Sequence, residues 1–391
     1  MKISNNTIFL IFSSLALAIL CALFIPEVER RSGDDFMQYW SAGRLLRSGQ
    51  NPYDPNEQLS LQKETWHGEE IPLPIMMYNP PPALSFALVA SIPNYRISYR
   101  IWIALSILLI ISSCFLAQKV VSKNPIRSRY TRYVILITLT LFQPFLISLY
   151  PGQCSPLLLI GFLTSLYYIK KDQLFIAGLF LSLTFFKPHI LYLFYLALIL
   201  NLKKDSLKLL GGAFVGSLLL SIPALIYQPH IFSLYLEAMQ TPPLNFHTPT
   251  LGAWLQYFLN IHNNNLRFLP SLLCIIITVL SFFIFNRRFS KLTLLSIILP
   301  LSILSSPYGW TYDQMLLLPT LFVFFNLSQD LYQKGSILIS QILLFLPLIT
   351  TAIIISHVYK LDQQYTVFYP LVLLLVGLSC RAIFPKYYKN N

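Results

Sequence analysis

The feature that most constrains the fold is a succession of apolar runs, most of them long enough to cross a lipid bilayer. Hydrophobic residues make up 55% of the 391-residue chain and charged residues only 11%, whereas soluble domains carry about 25% charged residues. A helical span needs about 20 apolar residues, so the chain has room for about ten spans and their loops. The sequence therefore predicts an all-α polytopic membrane protein, with residues 1–391 forming a single domain.

The basic residues indicate how these spans are oriented. The formal net charge is +13, but the lysines and arginines are concentrated in short loops. Such clusters mark cytoplasmic loops, because positive charge resists translocation. We therefore interpret the charge as a topology signal and expect no nucleic-acid partner. The clusters lie at 119–132, 203–208, 287–291 and 381–389.

The first apolar run, residues 7–25, is predicted to be a retained span whose N-terminus lies in the cytoplasm. A cleaved signal peptide is the alternative, but Pro26 and Glu27 follow the run where a small-residue cleavage site would be expected. Residues 26–80 then form a first external loop, and residues 228–265 form a second external segment. Further simple spans are predicted at 99–118, 133–149, 155–169, 209–227, 268–285, 292–305, 312–326, 337–357 and 365–383.

Two apolar segments are not expected to cross the membrane as simple spans. Residues 81–92 are too few to cross a hydrocarbon core about 30 Å thick, which predicts a short helix that dips into the membrane and returns. Residues 174–200 are interrupted by Lys187-Pro188-His189, which predicts two short helices that meet near the outer surface. One kinked span with a snorkelling Lys187 is the alternative.

The first external loop opens with a predicted helix. Two carboxylates, Asp34 and Asp35, stand at its start, where acids suit the positive end of the helix dipole. The helix would run to about Ser48 and end at Gly49 in the left-handed conformation. Apolar residues such as Phe36 are too frequent for a solvated surface helix and predict a helix that lies along the external membrane interface.

Polar and helix-breaking clusters converge on the predicted outer face. Ionisable groups at the membrane edge are costly and are functional candidates by default, and irregular backbone at membrane depth is tolerated where it lines a cavity. We therefore predict a cavity that opens to the periplasm or the exterior. The clusters are Asp34 and Asp35, Tyr78–Pro82, Pro151–Gln153, Lys187–His189, His247, and Ser306–Asp313.

These clusters permit a narrow chemistry. A carboxylate can act as a general base on a hydroxyl, and a lysine can neutralise phosphate oxygens. Together they suit transfer of a group from a membrane-anchored phosphate carrier to an alcohol. Two alternatives stay open. A transporter or flippase of polyprenyl-linked sugars would need two related halves and polar pairs at mid-membrane depth, and a polysaccharide polymerase or ligase would use basic residues in large external loops.

Six short motifs occur in order along nearly the whole chain: Asp35-Phe36-x-x-Tyr39, Gly49-x-x-Pro52-Tyr53, Tyr78-x-Pro80-Pro81, Gly152-Gln153, Lys187-Pro188 and Ser306-Pro307. In this set the chain resembles the GT-C class of membrane glycosyltransferases. Within that class it resembles glycosyltransferase family 87, the polyprenyl-phosphate-mannose-dependent mannosyltransferase-like proteins. The resemblance implies a GT-C-like fold with about ten transmembrane helices, short re-entrant or broken helices, and an external interfacial helix after the first span. It also implies a multi-pass protein of the cytoplasmic (inner) membrane whose active site faces the periplasm or exterior.

The resemblance further implies the reaction. The donor would be a hexose, typically mannose, on polyprenyl phosphate, and the acceptor would be a hydroxyl of a glycolipid or surface glycan of the cell envelope. Transfer would invert the anomeric carbon, with an aspartate as base, and by its place in the motif that aspartate is Asp35. We expect no cofactor and no metal ion. The implied substrate-binding residues are Asp34, Tyr39, Tyr78, Gln153, Lys187, His189, His247, Tyr312 and Asp313.

Structural alternatives stay open for several of these residues. Asp35 could be only a helix N-terminal acid, and Lys187 only a snorkelling lysine. Actinobacterial members of the family carry a His pair shortly after the Ser-Pro, where this chain has Tyr312-Asp313. The roles of that His pair therefore do not carry over to this chain. Two roles stay open for Asp313: a second functional acid, or a residue that caps the start of the next span.

Overall fold

Every regular element in the described part of the chain is helical. The structure is a computed structural model that describes residues 34–65, 73–122, 135–136, 138–139, 141–241, 246–261, 263–285, 288–333, 339, 342–343, 346, 363–385 and 388. The predicted span 7–25, and most of the predicted span 337–357, lie outside these residues.

The α-helices follow one another along the chain with short connections. They are α1 (Asp34–Arg47), α2 (Pro55–Thr65), α3 (Leu84–Ala90), α4 (Tyr95–Val121), α5 (Pro144–Leu149), α6 (Ser155–Lys170), α7 (Leu174–Leu181), α8 (Tyr192–Leu202), α9 (Ser206–Tyr227), α10 (Ile231–Ala238), α11 (Leu251–Leu259), α12 (Leu269–Ile284), α13 (Lys291–Thr293), α14 (Leu299–Ser305), α15 (Leu318–Gln333) and α16 (Phe368–Ile383). Short 3₁₀ segments extend them at Pro81–Ala83, Ser182–Phe186, Lys203–Asp205, Asn264–Phe268, Thr311–Leu317 and Gln363–Val367, and the π-helical turn Leu294–Ile298 joins α13 to α14.

Among the described residues, five helical stretches are long and apolar enough to cross a membrane. They are Tyr95–Val121, Tyr192–Tyr227, Asn264–Ile284, Thr311–Tyr332 and Tyr365–Ile383. Four apolar helices are shorter: Pro81–Ala90, Ser155–Lys170, Leu174–Phe186 and Lys291–Ser305. The chain is therefore a polytopic membrane protein. Two of the shorter helices, Ser155–Lys170 and Lys291–Ser305, match the predicted spans 155–169 and 292–305.

Helix α1 matches the predicted position but lies inside the protein. Phe36, Tyr39 and Trp40 are at most 4% exposed, because α1 packs against α2, α3 and α4. The Phe36 ring lies 5.5 Å from the rings of both Tyr99 and Trp102 of α4. The apolar residues that predicted a helix along the membrane interface are thus covered by other helices.

The C-terminal end of α1 is fixed by glycine geometry and by α3. Gly49 has a φ of +72°, as predicted for the residue that closes the helix, since glycine adopts this conformation without a steric penalty. The Arg47 guanidinium donates a 2.8 Å hydrogen bond to the Leu88 carbonyl. At Gly43 a Cβ atom would lie 2.0 Å from the Ala87 carbonyl oxygen, so α1 and α3 are in direct backbone contact.

The apolar run 174–200 contains two helices, in agreement with the two-helix prediction. The first ends at Phe186 and α8 begins at Tyr192. Lys187 lies in the connection and is only 9% exposed, so its side chain does not snorkel to the surface. Helix α7 also packs closely on α9, because a Cβ atom at Gly178 would lie 2.1 Å from the Leu209 carbonyl oxygen.

Candidate functional site

Five polar side chains from four separate segments meet at one place, which we call the central cluster: Asp35, Tyr39, Gln153, Lys187 and Asp313. Gln153 lies in the middle of it. Its Oε1 atom accepts a 3.0 Å hydrogen bond from the Tyr39 hydroxyl and a 3.5 Å hydrogen bond from Lys187 Nζ. The Asp35 carboxyl group is also hydrogen-bonded to the Gln153 side chain.

The loop that carries Gln153 is held against α1 and α4. Trp102 Nε1 donates a 2.8 Å hydrogen bond to the Gly152 carbonyl, and the Tyr99 hydroxyl donates one of 2.6 Å to the Tyr150 carbonyl. Gly152 has a φ of +75°, and a Cβ atom there would lie 2.6 Å from Phe36 Cβ. Only glycine fits this turn, and the turn places Gln153 beside the first residues of α1.

Lys187 and Asp313 form a buried ion pair. Lys187 Nζ lies 2.8 Å from Asp313 Oδ1, and the two side chains are 11% and 2% exposed. Asp313 also accepts hydrogen bonds of 3.0 Å from Ser155 Oγ and from the Trp310 backbone N–H. The second of these caps the 3₁₀ segment that begins at Thr311. Asp313 is therefore a helix cap and an ion-pair partner at once.

The two carboxylates of the cluster have different environments. The oxygens of Asp313 are occupied by protein donors, whereas Asp35 keeps part of its surface accessible. Burial raises the pKa of Asp35 above its ordinary value of 3.8, and the Gln153 hydrogen bond and the Lys187 charge oppose that rise. A raised pKa brings a carboxylate closer to the range in which it is an effective general base.

Lys187 stays charged in spite of its burial. Desolvation is the largest single effect and would lower the pKa of its ammonium group, but the interactions with Asp313, Cys154 and Asp35 together outweigh it, and the pKa is raised. The ammonium also lies 4.5 Å from the centre of the Tyr312 ring, where the negative face of the aromatic ring favours a cation. The cluster therefore holds a permanent positive charge next to a partly accessible carboxylate.

Two further predicted residues border the central cluster. The His189 ring lies 6.0 Å from the Tyr308 ring, and burial lowers the pKa of His189 to about 4, so its imidazole is neutral at pH 7. Tyr78 is half-buried and close enough to Tyr308 for their charges to interact. Its loop is tied to the Lys187 connection, because Asn79 Nδ2 donates a 2.9 Å hydrogen bond to the Phe186 carbonyl.

One predicted site residue lies elsewhere, and one cannot be placed. His247 is exposed, and its ring contacts Tyr257; none of its described contacts is with the central cluster. The Asp34 side chain lies outside the described part of the structure. In the described residues no three His, Cys, Asp or Glu side chains lie close enough together to hold a metal ion.

Several residues beside the cluster were not predicted from the sequence. Cys154 Sγ accepts a 3.2 Å hydrogen bond from the Tyr39 hydroxyl, and Ser155 contacts Asp313 as described above. Both directly follow Gln153, so they were adjacent to a predicted cluster, but a lone cysteine or serine carries no distinguishing pattern. Tyr308 lies within the predicted cluster Ser306–Asp313 but was not singled out as a candidate.

Comparison with known proteins identifies the family to which the chain belongs. No match was found among curated proteins or among solved structures. The family model of glycosyltransferase family 87 matches residues 77–307, which is more than half of the chain. The matched region includes Gln153, Lys187 and His189, while Asp35 precedes it and Asp313 follows it. The chain therefore belongs to glycosyltransferase family 87, and it is a glycosyltransferase.

Proposed function

We propose that this glycosyltransferase transfers a hexose, mannose in the first instance, from polyprenyl phosphate to a hydroxyl of a glycolipid or surface glycan. The reaction takes place at the outer face of the cytoplasmic membrane and inverts the anomeric carbon. One observation carries the proposal: the partly accessible Asp35 carboxylate and the charged Lys187 ammonium are both hydrogen-bonded to Gln153. A base and a phosphate-binding cation are the two groups that this reaction needs.

In the proposed reaction Asp35 accepts the proton of the acceptor hydroxyl. The acceptor oxygen forms a bond to the anomeric carbon of the donor hexose, and the bond from that carbon to the phosphate oxygen breaks. Polyprenyl phosphate leaves with the electron pair. A phosphate is already a good leaving group, so no strong general acid is needed. The pKa of Asp35, which burial raises, suits this role because the proton acceptor is more basic than an ordinary carboxylate.

Lys187 is proposed to hold the phosphate of the donor. An ammonium group has three N–H donors; in the structure Asp313 and Gln153 receive two hydrogen bonds from it. The third can meet a phosphate oxygen. Asp313 keeps Lys187 charged and fixes the position of Nζ, so this acid acts through the lysine and does not contact the substrate.

The direction in which the site faces is supported by the ends of two helices. Gln153 precedes the N-terminus of α6, and Lys170 and Lys171 lie at its C-terminus. Lys187 precedes the N-terminus of α8, and Lys203 follows that helix directly. Each helix thus separates the central cluster from a basic loop. Because basic loops stay in the cytoplasm, we place the cluster on the outer side.

The proposal is tested with purified protein in nanodiscs. The protein is incubated with radiolabelled polyprenyl-phosphate mannose and a panel of membrane glycolipids, and nucleotide-linked mannose serves as the control donor. We expect label in a glycolipid product only with the polyprenyl donor, and an anomeric configuration in that product opposite to that of the donor. Absence of product, together with passage of labelled donor across the bilayer of proteoliposomes, would contradict the proposal and indicate a flippase.

A further inference from the structure

Four aromatic side chains form a continuous surface beside the central cluster, and we call it the aromatic wall: Phe246, Tyr308, Trp310 and Tyr312. The Trp310 ring lies 6.2 Å from Tyr312, 5.9 Å from Tyr308 and 5.7 Å from Phe246, measured between ring centres. These residues come from two loops that are distant in sequence. Neither the proposed base nor the proposed phosphate site uses the wall beyond the contact of Lys187 with Tyr312.

The wall runs from the buried charges toward the surface. Tyr312 is 6% exposed and lies under Lys187. Tyr308 and Trp310 are partly exposed, and the side chain of Phe246 is 53% exposed. A molecule that extends outward from the central cluster can therefore lie along Trp310 and reach Phe246.

The positions of these rings are fixed by hydrogen bonds. Trp310 Nε1 donates a 2.7 Å bond to the Tyr308 hydroxyl oxygen, and Ser306 Oγ donates one of 2.6 Å to the Tyr308 carbonyl. The Arg267 guanidinium, only 2% exposed, donates to the Phe246 carbonyl. Because these bonds hold Tyr308, Trp310 and the backbone of Phe246, the wall is a preformed surface, and binding to it carries little ordering cost.

A polar group with an unused bonding position lies at the edge of the wall. His189 Nε2 is buried and has no hydrogen-bond partner among the described residues, and the His189 ring neighbours Tyr308. Buried polar atoms nearly always have a partner. A ligand hydroxyl beside Tyr308 would supply one.

We infer that the outer part of the wall, Trp310, Tyr308 and Phe246, binds a pyranose ring of the acceptor, with His189 hydrogen-bonded to one of its hydroxyls. The acceptor is then a molecule that already carries sugar, and it is not a bare lipid alcohol. This inference rests on the proposed function. The donor hexose is joined directly to its phosphate and so must lie beside Lys187, which leaves the outer rings for the second substrate.

The chemistry of the wall favours a sugar over a lipid chain. A pyranose presents an apolar C–H face that covers an aromatic ring and a rim of hydroxyls that need polar partners. The wall offers aromatic faces together with a polar atom at their edge, His189 Nε2, which has no hydrogen-bond partner among the described residues. An alkyl chain would leave this atom without a partner, which is unfavourable in a buried position.

The inference is tested by binding, without turnover, on the full-length protein in nanodiscs. The probes are octyl pyranosides of mannose, glucose and galactose, with 1-octanol as the sugar-free control. The variants are Trp310→Leu and Phe246→Leu. Phe214→Leu is the matched control, because Phe214 is 65% exposed on α9 and lies in another part of the chain. Thermal melting of each variant confirms that it is folded.

We expect at least one octyl pyranoside to bind more tightly than 1-octanol. Trp310→Leu should weaken that binding about tenfold, which corresponds to a loss of about 1.4 kcal/mol, and Phe246→Leu should weaken it less. The affinity for polyprenyl-phosphate mannose should stay within about twofold, a change of well under 1 kcal/mol, and Phe214→Leu should change neither affinity. Equal binding of octanol and pyranosides would overturn the inference, as would an equal loss of donor affinity in Trp310→Leu.

Failure here is distinguishable from failure of the proposed function. If the wild type transfers hexose from polyprenyl phosphate but its KM for the glycolipid is the same in Trp310→Leu, the acceptor site is wrong and the reaction stands. If pyranosides bind through Trp310 but no hexose leaves polyprenyl phosphate, the sugar site stands and the proposed donor is wrong.

Discussion

The buried ion pair gives the sharpest prediction about the stability of the protein: Asp313→Asn should leave the buried Lys187 charge without its ion-pair partner, with only the weaker attraction of Asp35 remaining. Two unit charges 2.8 Å apart attract each other by about 6 kcal/mol at an effective dielectric constant of about 20. The cost of taking both charges out of water offsets much of that attraction. Removing one partner of a buried pair nonetheless costs about 3–5 kcal/mol, because the remaining charge keeps its desolvation cost.

The expected loss is therefore about 3–5 kcal/mol of unfolding free energy for Asp313→Asn, and a similar loss for Lys187→Met. The double variant removes both charges and should be less destabilised than either single variant. The surface pair of Lys208 and Asp205, 3.2 Å apart with side chains 68% and 62% exposed, supplies the control. There Asp205→Asn should cost no more than about 1 kcal/mol, since exposed pairs are screened by water.

The assay is unfolding of the purified protein in a fixed detergent, followed by helical circular dichroism for wild type, both single variants, the double variant and Asp205→Asn. Simple addition of the two single-variant losses in the double variant would contradict a buried interaction between Lys187 and Asp313. Equal small losses in Asp313→Asn and Asp205→Asn would refute it as well, because burial of the pair would then have no energetic effect.

Three further predictions follow from the same geometry. The transfer rate should fall at acidic pH as Asp35 becomes protonated, and the fall should occur above the ordinary pKa of 3.8 because burial raises the pKa of Asp35. Gln153→Leu removes a hydrogen bond to the carboxylate, so the pH–rate profile of this variant should show the fall at a still higher pH. An unchanged profile would contradict the role of Asp35. Gly152→Ala, at a φ of +75°, should cost about 1–3 kcal/mol in the detergent unfolding assay and should lower the transfer rate, and a fully stable variant would count against the tight turn. Gly178→Ala should destabilise the protein, because the new Cβ atom would lie 2.1 Å from the Leu209 carbonyl oxygen. Gly211→Ala has no atom within 4 Å of the new Cβ, so its stability should be unchanged or should rise by up to about 1 kcal/mol from helix propensity. Equal melting temperatures for the two variants would contradict the close contact between the helices.

Local chemistry in the sequence was enough to predict several elements. The bounds of α1 were predicted from the two acids at its start and from Gly49 at its end. Both are local preferences: acids favour a helix N-terminus, and glycine favours the left-handed conformation. The break at Lys187-Pro188 likewise predicts two helices. The surroundings of α1 could not be predicted, because an apolar side chain such as Phe36 has the same pattern whether lipid or protein covers it; hydrocarbon tails are about as apolar as leucine.

The central cluster could be predicted in its members but not in its contacts. Asp35, Gln153 and Lys187 were predicted to lie at one site because all three fall on the predicted outer face. In the structure the side chains of Asp35 and Lys187 both contact Gln153. The pairing of Lys187 with Asp313 joins residues 126 positions apart, a separation at which no local pattern operates. His247 was predicted to belong to the site because it is a polar residue on the predicted outer side. In the structure its ring contacts Tyr257 instead. The number of spans was predicted from apolar length and from the positions of basic loops, and it stays a prediction, because the predicted span 7–25 and most of 337–357 lie outside the described residues.

The role of Asp35 as the base of a hexosyl transfer is tested by the transfer rate of the Asp35→Asn variant. Purified variant and wild type are compared with radiolabelled polyprenyl-phosphate mannose and the glycolipid that the wild type accepts best. Glu237→Gln, an exposed acid on α10, serves as the control. The rate should fall by about 10²–10⁴ in Asp35→Asn and stay unchanged in Glu237→Gln, with donor affinity retained in both. A rate in Asp35→Asn within about tenfold of the wild type would contradict the claim.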